Sequence, residues 1–359
     1  MKFMTILAKK SRTSSKTTYY WCTFLYSNQP GIHRQLSNLG SVSSRLQLDC
    51  RFLSISSTPK SSKLSILFLI ASLHFRIALK SRSNSIFLLR YNPLDPFLVL
   101  TSFFLRDRLH IVFHSLASEE KNYNPFLSLF QKAVLNFSLL FSGRPVALTN
   151  EIGINYTGSV SKFVLFSNSY DLSATDVINH LTISSQSAHQ YASLSSSPPQ
   201  IIFVASRFSQ WQGLDIILRA ACSTTYDFVL HIVGDIDGES LNDSRVIFHH
   251  ALSLQDLESL YGKVHLGLSC FALQRKGMSE ACPLKVREYL AYGIPVYSGH
   301  KDCFPHSFPF YRYGKADFVS ILSYIEQVKC FSRSYIAESA RPYIDTSILL
   351  PRLLNNIVS

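Results

Sequence analysis

The sequence predicts an α/β protein made of two doubly wound domains facing one cleft. Three observations carry this. A chain of 359 residues is too long for one ordinary core and suits two domains of ~150–180 residues. After position 200, short apolar runs alternate with amphipathic stretches, the pattern of a parallel sheet with crossover helices. Segment 184–200 (SSQSAHQYASLSSSPPQ) is rich in Ser, ends on paired prolines and has no apolar periodicity, so it reads as an exposed connector.

In the first half, segments 3–7, 86–89, 110–113, 146–148 and 163–166 read as strands. Segments 31–39, 63–78, 96–105 and 125–141 read as helices. In the second half, 201–205 is a buried strand and 214–222 a helix with apolar residues at helical spacing. A strand over 228–233 closes on Gly234-Asp235, and 246–248 is a shorter one. Ser253 suits the N-cap of a helix over 254–261, where Leu257, Leu260 and Tyr261 share a face. Strands over 264–269 and 294–297 flank a helix over 284–292 that Gly293 stops. The expected organisation is two Rossmann-like domains, 1–183 and 201–359, with a C-terminal helix packing back on the first. Ligands of such sheets sit beyond the carboxyl ends of the strands.

Composition narrows the function. An apolar content of 47% with 16% charged residues excludes general disorder. Only 14 glycines argue against repeated Gly-rich nucleotide loops. The seven cysteines (22, 50, 222, 270, 282, 303 and 330) form no CxxC pair and no zinc spacing. Neither a disulfide framework nor a structural metal is indicated, and a reduced, cytoplasmic setting fits.

The net charge of +12 is uneven. Residues 1–150 hold 19 Lys/Arg against 5 Asp/Glu, and the remainder is slightly acidic. Such a half suits an anionic membrane surface. Nucleic acid is the weaker partner, because the basic residues are spread out and form no recognised module. The longest apolar run, 64–75, falls well short of the ~20 residues of a spanning helix. At the amino terminus two lysines follow the apolar stretch, the reverse of a secretory signal. The expectation is a peripheral protein on the cytoplasmic face of a membrane, held by charge and shallow apolar contact.

The most informative segment is 270–296, CFALQRKGMSEACPLKVREYLAYGIPV. Glu280 precedes a helix that begins near Leu284, and Glu288 lies inside it, so the two carboxylates can reach different hydroxyls of one ligand. The helix N-terminus offers free N–H groups to a phosphate. Two buried carboxylates with no polyhydroxylated ligand between them would repel.

Segment 201–296, with FVASRF, WQGLD, HIVGD, VIF, LQDLESLY and EACPLKVREYLAYGIPV in that order, resembles the donor domain of retaining GT-B glycosyltransferases of family 4. A weaker resemblance runs through PGIHRQL, HIVFHS, ALTNEI and FSNSYD in the first half. It implies a retaining transferase moving a sugar from a nucleotide-sugar co-substrate to a saccharide acceptor, lipid-linked in a cell-surface pathway, with no other cofactor and no metal. By the resemblance Glu280 contacts the donor sugar, Glu288 the ribose and Arg207 the diphosphate, a task suited to a guanidinium fork. Gly31 matches a glycine that lets backbone approach the diphosphate, and His114 a histidine near the donor sugar. Cys282 and Leu284 lie on the donor loop and are placed at the donor with it. Asn168 and Asp171 match a structural turn near the cleft.

Two departures stand out. Gln212 occupies the position of the family's usual lysine, and Ala281-Cys282-Pro283 replaces Gly-Phe-Gly. Lys276 and Lys285 are the candidates to replace that cation. Asp235-Ile236-Asp237 offers a competing metal-binding reading, and His249-His250 reads as structural. The alternatives on this fold are a non-catalytic sugar-nucleotide-binding protein and a sugar-nucleotide epimerase.

Overall fold

The computed structural model describes residues 17–26, 30–58, 60–116, 125–173, 198–236 and 243–358. The first domain runs β1 (Thr18–Leu25), α1 (Pro30–Arg45), β2 (Cys50–Ser56), α2 (Lys63–Lys80), β3 (Ser85–Arg90), α3 (Leu98–Leu105), β4 (Leu109–Phe113), α4 (Pro125–Phe141), β5 (Val146–Ala147), α5 (Asn150–Thr157) and β6 (Val164–Leu165). Its six strands are all parallel, in the order β2-β1-β3-β4-β5-β6. The strand expected over 3–7 lies outside the described residues.

The sequence reading passed over β1, and its burial shows why. Tyr20, Cys22 and Phe24 enter the core on one sheet face, while Trp21 enters the core on the other. A strand buried on both faces reads as a continuous apolar run with no alternation to mark it. β2 is the edge strand and stays half-exposed. The short α5 begins at Thr149, whose side chain accepts the Ile152 N–H at 3.2 Å, and ends at Gly158 in the left-handed region.

The second domain repeats the architecture. Its elements are β7 (Gln200–Arg207), α6 (Leu214–Cys222), β8 (Val229–Asp235), β9 (Val246–His249), α7 (Leu254–Tyr261), β10 (Leu266–Leu268), α8 (Leu284–Ala291), β11 (Val296–Ser298), β12 (Tyr311–Tyr313), α9 (Phe318–Val328), α10 (Arg333–Ile344) and α11 (Thr346–Val358). The parallel order is β12-β11-β10-β7-β8-β9. Both sheets are parallel and flanked by helices, the two Rossmann-like domains read from the sequence. Ser253 caps α7 by accepting the Asp256 N–H at 3.2 Å.

The final helix does not stay with its own sheet. Leu349, Leu350, Leu353, Leu354 and Ile357 of α11 pack with Trp21, Leu88, Val112, Val146 and Val164 of the first sheet. The crossover is pinned where the Tyr170 N–H donates to Ile344 O at 2.7 Å and the Thr346 N–H donates to Tyr170 O at 3.0 Å. Of segment 184–200, only the last three residues are described, and Gln200 is the first residue of β7. Among the described residues, no helix is long and apolar enough to cross a membrane.

Helix α8 is fixed from two sides. Gly267 in β10 lies so close beneath Tyr289 that an added Cβ would sit 2.4 Å from the ring. The Tyr289 hydroxyl accepts the Val204 N–H at 2.9 Å. On the other side, the fully buried Arg287 forks onto Asp302 at 2.5 and 2.6 Å, and its Nε donates to Asn168 O at 3.0 Å. The neighbouring Asp302 carboxylate overcomes the cost of burying Arg287 and keeps it charged.

Removing one partner of such a pair strands a buried charge. Arg287→Leu should therefore lower unfolding free energy by about 3–5 kcal/mol, measured by urea denaturation. A loss below ~1 kcal/mol would mean that Asp302 finds another partner or water.

Candidate active site

The carboxyl ends of the two sheets face each other. At the second sheet, β7 ends in Arg207, which is exposed and opposite Asp235 in the register, after an irregularity following Val204. Near the carboxyl end of β8, Gly234 has a φ of +130°. A Cβ there would lie 1.7 Å from the Ala205 carbonyl oxygen, so only glycine fits. A cavity of about 550 Å³ opens beside these strand ends, lined by Phe208, Ser209, Leu214, Asp215, Ile236 and Arg275.

The donor loop leads into α8. Pro283 is its N-cap residue and supplies no capping side chain, so the first-turn N–H groups are not covered by a side-chain acceptor there. Gly31 faces this turn: a Cβ on it would stand 3.5 Å from Leu284 Cδ1, an ordinary contact. Gly31 lies in the first turn of α1, at the start of the helix expected over 31–39.

Two interdomain clasps hold the glutamates. Glu280 Oε2 accepts the Glu151 N–H at 2.9 Å, at the start of α5. The Glu151 carboxylate in return accepts the N–H groups of Ser279 at 2.9 Å and Glu280 at 2.6 Å. Both carboxylates thus meet backbone donors across the cleft. Glu280 also stands on the rim of a second cavity, about 500 Å³, with Phe304, Phe308, Tyr311 and Tyr313.

Glu288 is buried in α8 and accepts a fork from Arg34 of α1 at 3.0 and 3.3 Å. Arg34 also donates to the Tyr170 hydroxyl at 2.9 Å. Burial pushes the Glu288 carboxyl above its ordinary range, opposed by the Arg34 guanidinium. Further along α1, Gln35 Nε2 donates to Asn168 Oδ1 at 2.8 Å and Arg45 forks onto Asp171 at 2.9 and 3.1 Å. The Asn168 N–H donates to Cys282 Sγ at 3.0 Å and its Nδ2 to Cys282 O at 2.5 Å. Asn168 therefore joins α1 to the donor loop, Asp171 ties the same turn to the end of α1, and Cys282 is a joint of the interface.

The remaining candidates are placed differently. Gln212 sits in the turn before α6, where its Oε1 accepts the Ser209 N–H at 3.0 Å. Its side chain is buried, with Oε1 held in a capping box, and as an amide it brings no positive charge to a diphosphate. Lys276 lies with Nζ 4.5 Å from the Trp211 ring centroid, a cation–π contact. Lys285 Nζ is buried 4.9 Å from the Phe203 ring centroid and has no hydrogen-bond partner. Burial holds that ammonium below its ordinary value. His114 follows β4 beside Arg90, Trp21 and Ile32. Burial first, and then Arg90, keep its imidazole neutral.

Asp235 is exposed at its strand end, and Asp237 lies outside the described residues. His249 Nε2 is 3.0 Å from His231 Nδ1, a contact within the second sheet. One acid-thiol group, Cys282, Asp302 and Cys303, has its potential ligand atoms within 4.8 Å of one another. Both Asp302 oxygens already accept from Arg287, so this carboxylate is neutralised without a metal.

Sequence reasoning missed Arg34, Glu151 and Arg287. Arg34 stands three residues after Gly31, on the same helical face, which is the spacing that brings both to α8. Glu151 lies in the first turn of a helix too short to be seen by periodicity.

No protein-family model and no curated protein matches the sequence. Solved structures do. Anabaena HepE in complex with UDP-glucose superposes with a TM-score of 0.61 at 14% identity, covering 95% of this chain and 99% of that one. A glycosyltransferase from Rickettsia africae gives 0.61 and 14%, covering 96% and 98%. The lipopolysaccharide outer core galactosyltransferase WaaB gives 0.59 and 14%, covering 95% and 99%. At that identity the likeness is one of fold. With its two parallel six-stranded sheets meeting at a cleft, the chain has the GT-B fold of structurally similar glycosyltransferases.

Proposed function

We propose that the chain is a retaining glycosyltransferase of family 4 type, moving a hexosyl or related group from a nucleotide-sugar donor to a saccharide acceptor without a metal. The observation that carries this is the pair Glu280 and Glu288 at one interdomain cleft, beside a helix start with no capping side chain. Fold likeness to a structure holding UDP-glucose makes UDP-sugars the first donors to try.

On this reading Glu288 accepts from the ribose hydroxyls and Glu280 from the sugar. The diphosphate lies at the Leu284 and Lys285 N–H groups, with Arg207 as the cationic partner. The bond between sugar C1 and the leaving phosphate oxygen breaks, with the departing charge held by these donors. The acceptor hydroxyl attacks C1 on the same face, and its proton passes to the leaving phosphate. Neutral His114 supplies no positive charge to this step. A lipid-linked acceptor and a place on the cytoplasmic face of a membrane fit the strongly basic first 150 residues.

A non-catalytic sugar-nucleotide-binding protein is the second reading, favoured by Gln212, a neutral side chain closing a turn at the position where the family resemblance leads one to expect lysine. Donor binding without transfer or hydrolysis would decide for it.

Three measurements test the first reading. A UDP-sugar at about 100 times its dissociation constant should stabilise the fold by about 2.7 kcal/mol in a thermal-shift screen. Glu288→Ala removes a charged hydrogen-bond acceptor of about 1.5–3 kcal/mol and should weaken donor binding by ~10–100-fold. Glu280→Ala should mainly lower turnover. If both variants bind and transfer like the parent, the donor sits elsewhere. EDTA should leave turnover intact, whereas complete loss restored by manganese or magnesium would place Asp235 and Asp237 at the centre.

A further inference from the structure

Helices α2, α3 and α4 cover one face of the first sheet. Ile70, Leu73, Ile77, Leu98, Leu105 and Leu135 face inward to the same core as Tyr20 and Phe87. Their outward sides are also apolar. Leu64, Phe68, Phe104, Phe126 and Leu140 are each more than 70% exposed, the most exposed large apolar side chains among the described residues. Every exposed phenylalanine of the described chain lies on these three helices. The helices adjoin: the Phe103 and Phe141 rings of α3 and α4 meet at 5.3 Å, and beneath the surface the buried His74 of α2 places Nδ1 2.5 Å from Thr101 Oγ1 of α3.

The charge on this face has one sign. None of the three helices contains an Asp or Glu, while Lys63, Arg76, Lys80 and Lys132 lie among the apolar residues. Apolar patches larger than a few hundred Å² on a monomer mark interaction sites. Apolar side chains flanked by cations with aliphatic stems suit the headgroup boundary of an anionic bilayer. A second copy of the face would bring like charges together.

We propose that the α2–α3–α4 face inserts into the surface of an anionic bilayer, with its lysines and arginines at the headgroups. This gives the membrane placement suggested above a specific surface, and it rests on none of the donor chemistry. Attachment by insertion, unlike attachment by charge alone, persists when salt screens the cations.

The test uses the full chain, vesicles of phosphatidylcholine with and without phosphatidylglycerol, and the variant Phe68→Ser/Phe104→Ser/Phe130→Ser. The parent should pellet with the anionic vesicles and largely remain after a wash in ~1 M NaCl. The triple variant should be retained at least tenfold less, with an unchanged melting midpoint and an unchanged UDP-sugar thermal shift. If its midpoint falls, the single variants Phe104→Ser and Leu140→Ser, each with a smaller loss, replace it. Variants that pellet like the parent, or a parent absent from anionic vesicles at low salt, would overturn the proposal. A parent dimer in sedimentation velocity, lost in the triple variant, would assign the face to a second copy instead.

Discussion

The buried fork between Arg287 and Asp302 is the constraint on which the cleft depends. Helix α8 carries Glu288 on the residue next to Arg287, so whatever fixes the guanidinium fixes the carboxylate. Three parts of the chain meet at this one side chain: α8 itself, the loop after β11, and Asn168 from the first domain. A buried ion pair is weak evidence for net stability, because desolvation offsets much of the attraction. Its contribution here is geometric. An apolar replacement could fill the space but could not bond to the Asn168 carbonyl in a defined direction.

The same junction sets a competition. Arg34 takes Glu288, and Glu151 exchanges backbone bonds with the Glu280 loop. These carboxylates are the groups that the proposed donor would need. A donor bound there as proposed would share or displace these bonds, and any resulting coupling between closure and binding would be reciprocal. Burial already raises the Glu288 carboxyl above its ordinary range even with Arg34 in place.

Much of the fold was legible in the sequence, and the failures have physical causes. Periodicity located α6 and α7 because each has one buried and one polar face, whereas α2 and α4 were legible as apolar runs too long for a strand. β1 was missed because both its faces are buried, and β12 because three residues are too few for a pattern. Of the candidate site, local sequence order singles out Glu280 and Glu288, and both carboxylates make contacts across the two domains. The site was not legible at Arg34 or Glu151, whose meaning comes only from partners more than a hundred residues away. Gln212, a motif position where the resemblance leads one to expect lysine, uses its Oε1 to close its own turn, a local role the motif does not reveal.

Helix α11 has a consequence for biosynthesis. The core on one face of the first sheet is completed by Leu350, Leu353 and Leu354, which the ribosome reaches only after the entire second sheet has been made. During translation, the first domain therefore emerges with Trp21, Leu88, Val112 and Val146 on an open apolar face. Domains generally fold as units from the amino terminus during synthesis. This one completes the core on that face only when α11 arrives, so its last packing step follows synthesis of the second domain.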